Sequence, residues 1–323
     1  MSDFKAIILA GGSGERFWPL STPEKPKQFL NVFGGESLIR QSVMRLKGLV
    51  KPKDVFVITA KALVGATRRE LPEIPKANII GEPMRRDTGA AVALGVGVAG
   101  SGVLGFFPSD QMVANPAKFR KAVATAIARA KRTDAIVTLG IKPEYPATGF
   151  GYVNPKAGTF VEKPNAQKAK EYLKKGYLWN AGMFIGRASV FADAIAACAP
   201  ALKGLTGLRS LRRLDGVYES LPKISFDYAV MEHLKNVEVV KGDFGWDDVG
   251  SYGAFDKHFK RGKDGNIAIG EVKAVESDGC TAVAKGAKIA LLGVRDLVVV
   301  TTDDAVLVVS KEKVSEMKKL FAK

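Results

Sequence analysis

The sequence predicts an α/β protein: a mixed, mostly parallel sheet with helices on both faces, followed by a small β domain. Three observations carry this. Through the first half, short apolar runs bounded by glycine or turn residues alternate with segments of helical spacing, the pattern of parallel strands joined by crossover helices. Glycines or acids stand just past the ends of several runs, where open α/β sheets bind ligands. From about Gly265 helical spacing stops and short β-branched runs recur.

The first strand is Ala6–Ala10, all apolar and closed by glycine, as a buried parallel strand would be. Gly11, Gly12 and Gly14 follow, then a basic, proline-marked stretch with Arg16, Lys25 and Lys27. Glycines let backbone N–H groups approach a ligand, and fixed cations beyond them suit a polyphosphate. A nucleotide-phosphate loop is the functional reading; a plain strand-to-loop turn is the ordinary one. The letters match neither G-x-x-x-x-G-K-[ST] nor G-x-G-x-x-G, and Gly12-Ser13-Gly14 lacks the spacing of a nucleophile elbow.

Ser37–Leu49 has helical spacing, Asp54–Thr59 is a second strand, and Ala62–Leu71 is a helix closed by Pro72 and Pro75. Asn78–Ile80 is a short strand that turns at Glu82-Pro83. Asp87-Thr88 is placed to cap an Ala- and Gly-rich helix. Small residues there permit close approach to a ligand, or simply tight packing in a core. Val103–Asp110 is the next strand, and Asp110 at its end is a candidate Mg²⁺ ligand, since Mg²⁺ takes one or two protein carboxylates. The competing role, a cap for the Pro116–Arg132 helix, fits less well because that helix begins several residues later. Ala135–Gly140 is the fourth buried strand.

The middle reads differently. Pro146–Val153, Thr159–Pro164 and Leu178–Gly186 are short strand-like pieces whose polar groups suit sugar hydroxyls: Thr148, the Gly149 backbone, Glu162 and Asn180, with Lys163 as a cation. Ser189–Leu214 and Ser225–His233 read as helices and Val237–Val240 as a strand. Asp247 and Asp248 then offer a second carboxylate at a strand end. The tail Lys311–Lys323 reads as a helix. The expected domains are residues 1–262 and 263–323.

The 323 residues carry a net charge of +16 and are 46% hydrophobic. The basic residues are dispersed, without a long basic tail or aromatic-interleaved motif, so a solvated surface or attraction of an anionic substrate is favoured over nucleic-acid binding. Two cysteines, Cys198 and Cys280, in unrelated segments suggest reduced thiols, and two histidines make a His-based metal site a poor expectation. No apolar run reaches the roughly eighteen residues of a membrane span. The chain enters a strand at once, without a signal peptide, so a cytoplasmic protein is expected.

The motifs LAGGSGERFWPLS, PKQF, EPMRRDTGAA, FPSD, PATGFGYV, FVEKP, WNAGMF, DYAVME and GWDDVGS follow one another in this order. Together they resemble the sugar-1-phosphate nucleotidylyltransferases, and within them the bacterial mannose-1-phosphate guanylyltransferases. The resemblance covers Lys5 to about Phe259; beyond Gly265 it rests on position and texture. It implies a Rossmann-like nucleotidyltransferase domain and a C-terminal left-handed β-helix fragment used in dimer contacts; from the chain's length, the isomerase domain of longer bifunctional relatives is not expected. It implies the reaction of GTP with mannose 1-phosphate to give GDP-mannose and pyrophosphate. By motif, Gly11, Gly12 and Gly14 would face the nucleotide phosphates and Arg16 the β- and γ-phosphates. Lys27 would face the α-phosphate and Lys163 the sugar phosphate. Gly149, Glu162 and Asn180 would bond mannose, Glu82, Pro83 and Thr88 would flank guanine and ribose, and Asp110 and Asp248 would hold Mg²⁺.

This chain departs from the family pattern at several positions. Asp87 stands in place of Asn, Gly89 of Ala, Ala181 of Ser, Gln111 of His and Phe150 of Tyr. Asp247 beside Asp248 leaves two candidate metal ligands, with W-S-D-V favouring Asp248. The competing readings are the same chemistry with another sugar phosphate and nucleotide, a basic nucleic-acid-binding protein, and an inactive nucleotide sensor.

Overall fold

A computed structural model describes residues 3–12, 14–208 and 210–321. The chain packs as two compact units, Met1–Gly11 with Ile39–Trp246, and Gly12–Leu38 with Asp247–Lys323.

The first unit holds the large sheet. Its strands lie in the order Glu238–Gly242, Val137–Ile141, Leu178–Arg187, Val103–Pro108, Phe4–Ala10, Val55–Ala60, Ile79–Glu82. Phe4–Ala10 pairs in parallel with both its neighbours, and Val55–Ala60 with Ile79–Glu82. Leu178–Arg187 is antiparallel to both strands beside it. This seven-strand path is therefore mixed and mostly parallel, and Tyr152–Val153 and Phe160–Val161 add antiparallel pairings beside it. The WNAGMF stretch, expected as one of several short pieces, is a ten-residue strand in the middle of the sheet. Its bounds lie within one residue of the expected Leu178–Gly186, and despite its Gly and Asn it is buried along nearly its whole length.

The helix Asp87–Ala99 is a core helix. Ala90, Val92, Ala93 and Leu94 are fully buried. Its small residues bring neighbours close: a Cβ on Gly89 would lie 2.7 Å from the Ile224 carbonyl oxygen, and one on Gly95 2.7 Å from the Phe106 ring. The expected cap does not form. Asp87 Oδ1 accepts from the next residue's N–H at 2.7 Å, while Thr88 Oγ1 accepts from Phe226 N–H at 2.9 Å, so both oxygens serve other bonds. Replacing Gly89 with alanine is expected to destabilise the fold by about 1–3 kcal/mol despite alanine's better helix propensity. It would also strain the Gly89 N–H bond to Ile224 O, now 3.0 Å. The denaturant midpoint checks this; an unchanged or higher midpoint refutes it.

The helix Pro116–Ala130 is capped by Asn115, whose side chain accepts from Lys118 N–H, so Asp110 does not cap it. The segment expected as one helix over Ser189–Leu214 is broken after Ala188–Cys198, where Pro200 opens a 3-10 turn. Ser225–His233 is likewise split, into Phe226–Ala229 and a 3-10 turn at Met231–His233.

In the second unit an aromatic cluster joins the N-terminal loop to the segment after Trp246. Phe17 meets Tyr252 at 5.2 Å, and Phe33 meets Phe255 at 5.0 Å and Phe259 at 5.7 Å between ring centroids. The Tyr252 hydroxyl lies 2.9 Å from Phe17 O and 3.1 Å from Trp18 O. Beyond it the chain coils. Ile267–Ile269, Thr281–Ala284 and Leu297–Thr301 stack in parallel, as do Val272–Val275 and Ile289–Leu292, and Val306–Ser310 closes the stack antiparallel. Parallel stacking of successive short strands is a β-helix-like coil. Lys311–Phe321 winds as a 3-10 helix rather than the expected α-helix. Its buried Val314 and Met317 are three residues apart, which a three-residue turn aligns on one face. No helix among the described residues is long and apolar enough to cross a membrane.

Candidate functional site

The second unit gathers the basic loop. Gly14 sits in the left-handed region at φ 67°, and any Cβ there would collide with the Lys27 backbone. Glycine thus lets the loop fold back onto Lys27. The Lys27 side chain is buried, and its Nζ donates to the Asp248 carbonyl oxygen at 2.7 Å. Lys25, by contrast, is exposed. Arg16 is exposed, but its Nη1 and Asp248 Oδ2 both come within 3.3 Å of where a Cβ on Gly250 would stand. Residues far apart in sequence, Arg16, Lys27 and Asp248, therefore share one small region, with Lys27 on the Asp248 backbone carbonyl and Arg16 on the side of its carboxylate. Gly12 lies in the same unit, with open space where its Cβ would be.

In the first unit, Gly11 ends the first strand against Glu82. A Cβ on Gly11 would stand 3.3 Å from Glu82 Oε2, and the Tyr218 hydroxyl donates to Glu82 Oε1 at 3.0 Å. Burial pushes the Glu82 carboxyl up to about 7; the Tyr218 bond works against that, and Asp87 adds to it. Pro83 and Thr88 lie partly buried in the turn and helix start that follow.

The Glu82 shift has a consequence for stability. The folded carboxyl binds its proton more tightly than the unfolded chain does. Its contribution is therefore most favourable below the ordinary carboxylate range and is lost as pH rises to about 7. Glu82→Gln cannot ionise, so its stability relative to the parent should increase by about 3 kcal/mol between pH 4 and pH 8. Denaturant midpoints at the two pH values measure this. An offset independent of pH contradicts it.

A second cluster in this unit collects the residues expected to meet a sugar. Asn180 Oδ1 accepts from Thr138 Oγ1 at 2.7 Å and from Gly182 N–H at 3.1 Å, and its Nδ2 donates to Asp227 Oδ1 at 3.0 Å. Lys163 Nζ lies 2.5 Å from Glu162 Oε1 and 5.7 Å from the Tyr228 ring centroid. The Glu162 backbone N–H donates to Glu232 Oε1 at 2.7 Å. Burial raises the Glu162 carboxyl, with Lys163 opposing and Glu232 and Asp87 adding to it; burial likewise pushes Asp227 up to about 7, and the Glu162 charge adds to that. For Lys163 burial opposes the charge, but Glu162, Asp227 and Tyr228 outweigh it and raise its pKa. Gly149 is exposed, and a Cβ there would meet nothing within 4 Å.

Asp110, partly buried, lies just past the strand Val103–Pro108. Arg45 holds the backbone around it. This fully buried guanidinium donates to Gln111 O at 2.9 Å and Pro108 O at 3.2 Å, and lies over the Phe119 ring. Burial lowers its pKa to about 10, against the pull of Asp110. Gln111, at the family's histidine position, donates to Ala181 O at 2.9 Å and accepts from Trp246 Nε1 at 3.0 Å. Among the described residues no three His, Cys, Asp or Glu side chains are arranged to hold a metal. Asp110 belongs to the first unit and Asp248 to the second; each is a hard oxygen donor of the kind Mg²⁺ takes, one or two to an ion.

Arg45, Asp227, Tyr218 and Glu232 escaped the sequence reading as site-shaping residues. Asp227 and Glu232 lie in the DYAVME motif, and that motif was the available signal. Arg45, just past the helix Leu38–Met44, and Tyr218, in the helix Leu214–Glu219, lie in segments without motif value.

Residues 5–265 match the family described as Nucleotidyl transferase, and residues 270–323 match the MannoseP isomerase/GMP-like beta-helix domain. The Xanthan biosynthesis protein XanB of Xanthomonas campestris pv. campestris (strain B100) is 37% identical over 345 residues, spanning 100% of this chain and 73% of XanB. Mannose-1-phosphate guanylyltransferase of Escherichia coli (strain K12) is 32% identical over 345 residues, spanning 97% of this chain and 72% of that protein. A crystal structure from Thermus thermophilus, described as a mannose-1-phosphate geranyltransferase, superposes with a TM-score of 0.90 at 36% identity, covering 99% of this chain and 98% of that one. The resemblance read from the motifs and the expected order, a nucleotidyltransferase sheet domain and then a β-helix-like domain, are both borne out. The chain belongs to the nucleotidyl transferase family, in the group whose catalytic domain is followed by a mannose-phosphate isomerase/GMP-like β-helix domain.

Proposed function

We propose that this chain transfers GMP from GTP to mannose 1-phosphate, giving GDP-mannose and pyrophosphate. The observation that carries the reading is the grouping of Arg16, Lys27 and Asp248 in one unit of a nucleotidyl transferase. A reaction at a triphosphate needs cations at the phosphates and a carboxylate for a divalent metal. Relatives named mannose-1-phosphate guanylyltransferase supply the sugar and the base.

A phosphate oxygen of mannose 1-phosphate attacks the α-phosphorus of GTP in line. The bond from that phosphorus to the bridging oxygen breaks, and pyrophosphate leaves. Positioning and charge neutralisation suffice, so no covalent enzyme intermediate forms. Gly11, Gly12 and Gly14 bring backbone to the nucleotide phosphates. Arg16 holds the β- and γ-phosphates, and Lys27 the charge at the α-phosphate. Glu82, with Pro83 and Thr88, meets the guanine and ribose. Lys163 meets the sugar phosphate, and Gly149, Glu162 and Asn180 meet mannose hydroxyls. Asp110 and Asp248 would supply the carboxylates for Mg²⁺, which when bound would neutralise phosphate charge. The domain boundary is proposed at 262/263, with a homodimer in the cytoplasm and no nucleic-acid or membrane partner.

Pyrophosphate release with Mg²⁺ across pairs of nucleotide and sugar 1-phosphate tests the reading. GTP with mannose 1-phosphate should be the fastest pair. A faster pair of another base or sugar overturns the specificity.

A further inference from the structure

The turn Asp247–Val249 is held in an unfavourable shape. Val249 is fully buried with φ 48°, a left-handed conformation that a β-branched residue rarely adopts. Such a turn persists only where its surroundings over-determine it. Here one side chain does most of that. Asp247 Oδ1 accepts from Val249 N–H at 2.7 Å, and Oδ2 lies 3.3 Å from His258 Nε2 and 3.7 Å from Lys257 Nζ. His258 is itself fixed edge-on against Phe33, 5.8 Å between ring centroids, in the aromatic cluster. From the other side Lys27 Nζ grips the carbonyl of Asp248, between the two.

Both Asp247 oxygens thus face the protein, and its side chain is only 15% exposed. The neighbouring Asp248 carboxylate points instead toward Arg16 and Gly250. We propose that Asp247 is a positioning residue: it locks the turn so that the Asp248 carboxylate and the Lys27 ammonium are presented together to the metal and nucleotide. The inference rests on the reading of Asp248 and Lys27 given above, and it separates the two adjacent acids into a positioner and a ligand.

The test uses the full chain with Asp247→Ala, Asp247→Asn and Asp247→Ser, and reads Mn²⁺ binding in the presence of GTP as well as kcat and KM. The amide and the hydroxyl each keep an acceptor for Val249 N–H; alanine keeps none. Asp247→Ala should weaken Mn²⁺ binding and lower kcat by about 10-fold or more. Asp247→Asn should recover both to within about threefold of the parent, since the hydrogen bond survives. Asp247→Ser keeps the inference testable should the alanine variant not fold, and should lie between the other two. Equal damage in Asp247→Asn and Asp247→Ala would mark Asp247 as a direct ligand and overturn the proposal. So would an alanine variant that loses thermal stability but keeps the parent's Mn²⁺ binding and kcat. Failure of the functional reading would show differently, as no pyrophosphate release by the parent chain, while the Mn²⁺ titration would still decide the role of Asp247.

Discussion

Replacing Lys27 with alanine is expected to lower kcat for pyrophosphate release by roughly a hundredfold or more, with the KM for mannose 1-phosphate little changed. The lysine is 6% exposed, so its ammonium is held in a confined setting where charge stabilisation is stronger than in water. It has three donors, and the bond to the Asp248 carbonyl orients one of them. The Gly14 fold-back fixes the backbone from which it projects. The loss should therefore fall on the step in which charge builds at the α-phosphate, and on kcat more than on binding. A melting curve controls for the lost bond to Asp248. A folded Lys27→Ala protein with a near-parental rate would remove the assignment.

The second large effect is expected at Asp248. Asp248→Asn keeps the shape and one acceptor oxygen but removes the charge, and it should also cost roughly a hundredfold or more in turnover. Its backbone carbonyl remains for Lys27, so the neighbouring cation stays in place. The variant should need a higher Mg²⁺ concentration for its residual rate, which Lys27→Ala should not. The Mg²⁺ dependence of the two variants separates their roles. Parallel curves with the same midpoint would contradict the division between metal ligand and phosphate cation.

Much of this was legible in the letters, for physical reasons. The run Ala6–Ala10 with its glycines, and Val103–Asp110 with its terminal acid, announce buried parallel strands and where they end. Lys27 could be preferred over Lys25 by motif, and its burial beside Asp248 agrees. Other features depend on tertiary partners that no local pattern encodes. The strand Leu178–Arg187 reads only as a strand-like piece, and its central place in the sheet is hidden, because Asn180, a residue common in turns, is held there by side-chain bonds to Thr138 and Asp227. The raised pKa of Glu82 arises from burial beside Tyr218, distant in sequence. The motif favours Asp248 over Asp247 as the metal ligand but gives Asp247 no role. The left-handed Val249 and the reach of His258 distinguish the two in the structure.

The most direct test of the mechanism is the stereochemical course at the α-phosphorus. One diastereomer of guanosine 5′-O-(1-thiotriphosphate) would be converted with mannose 1-phosphate, and the configuration of the thio-GDP-mannose determined. Direct attack by the sugar phosphate requires inversion. Retention would mean two displacements through a nucleotidylated enzyme group, and would contradict the proposed direct attack, which uses no enzyme nucleophile.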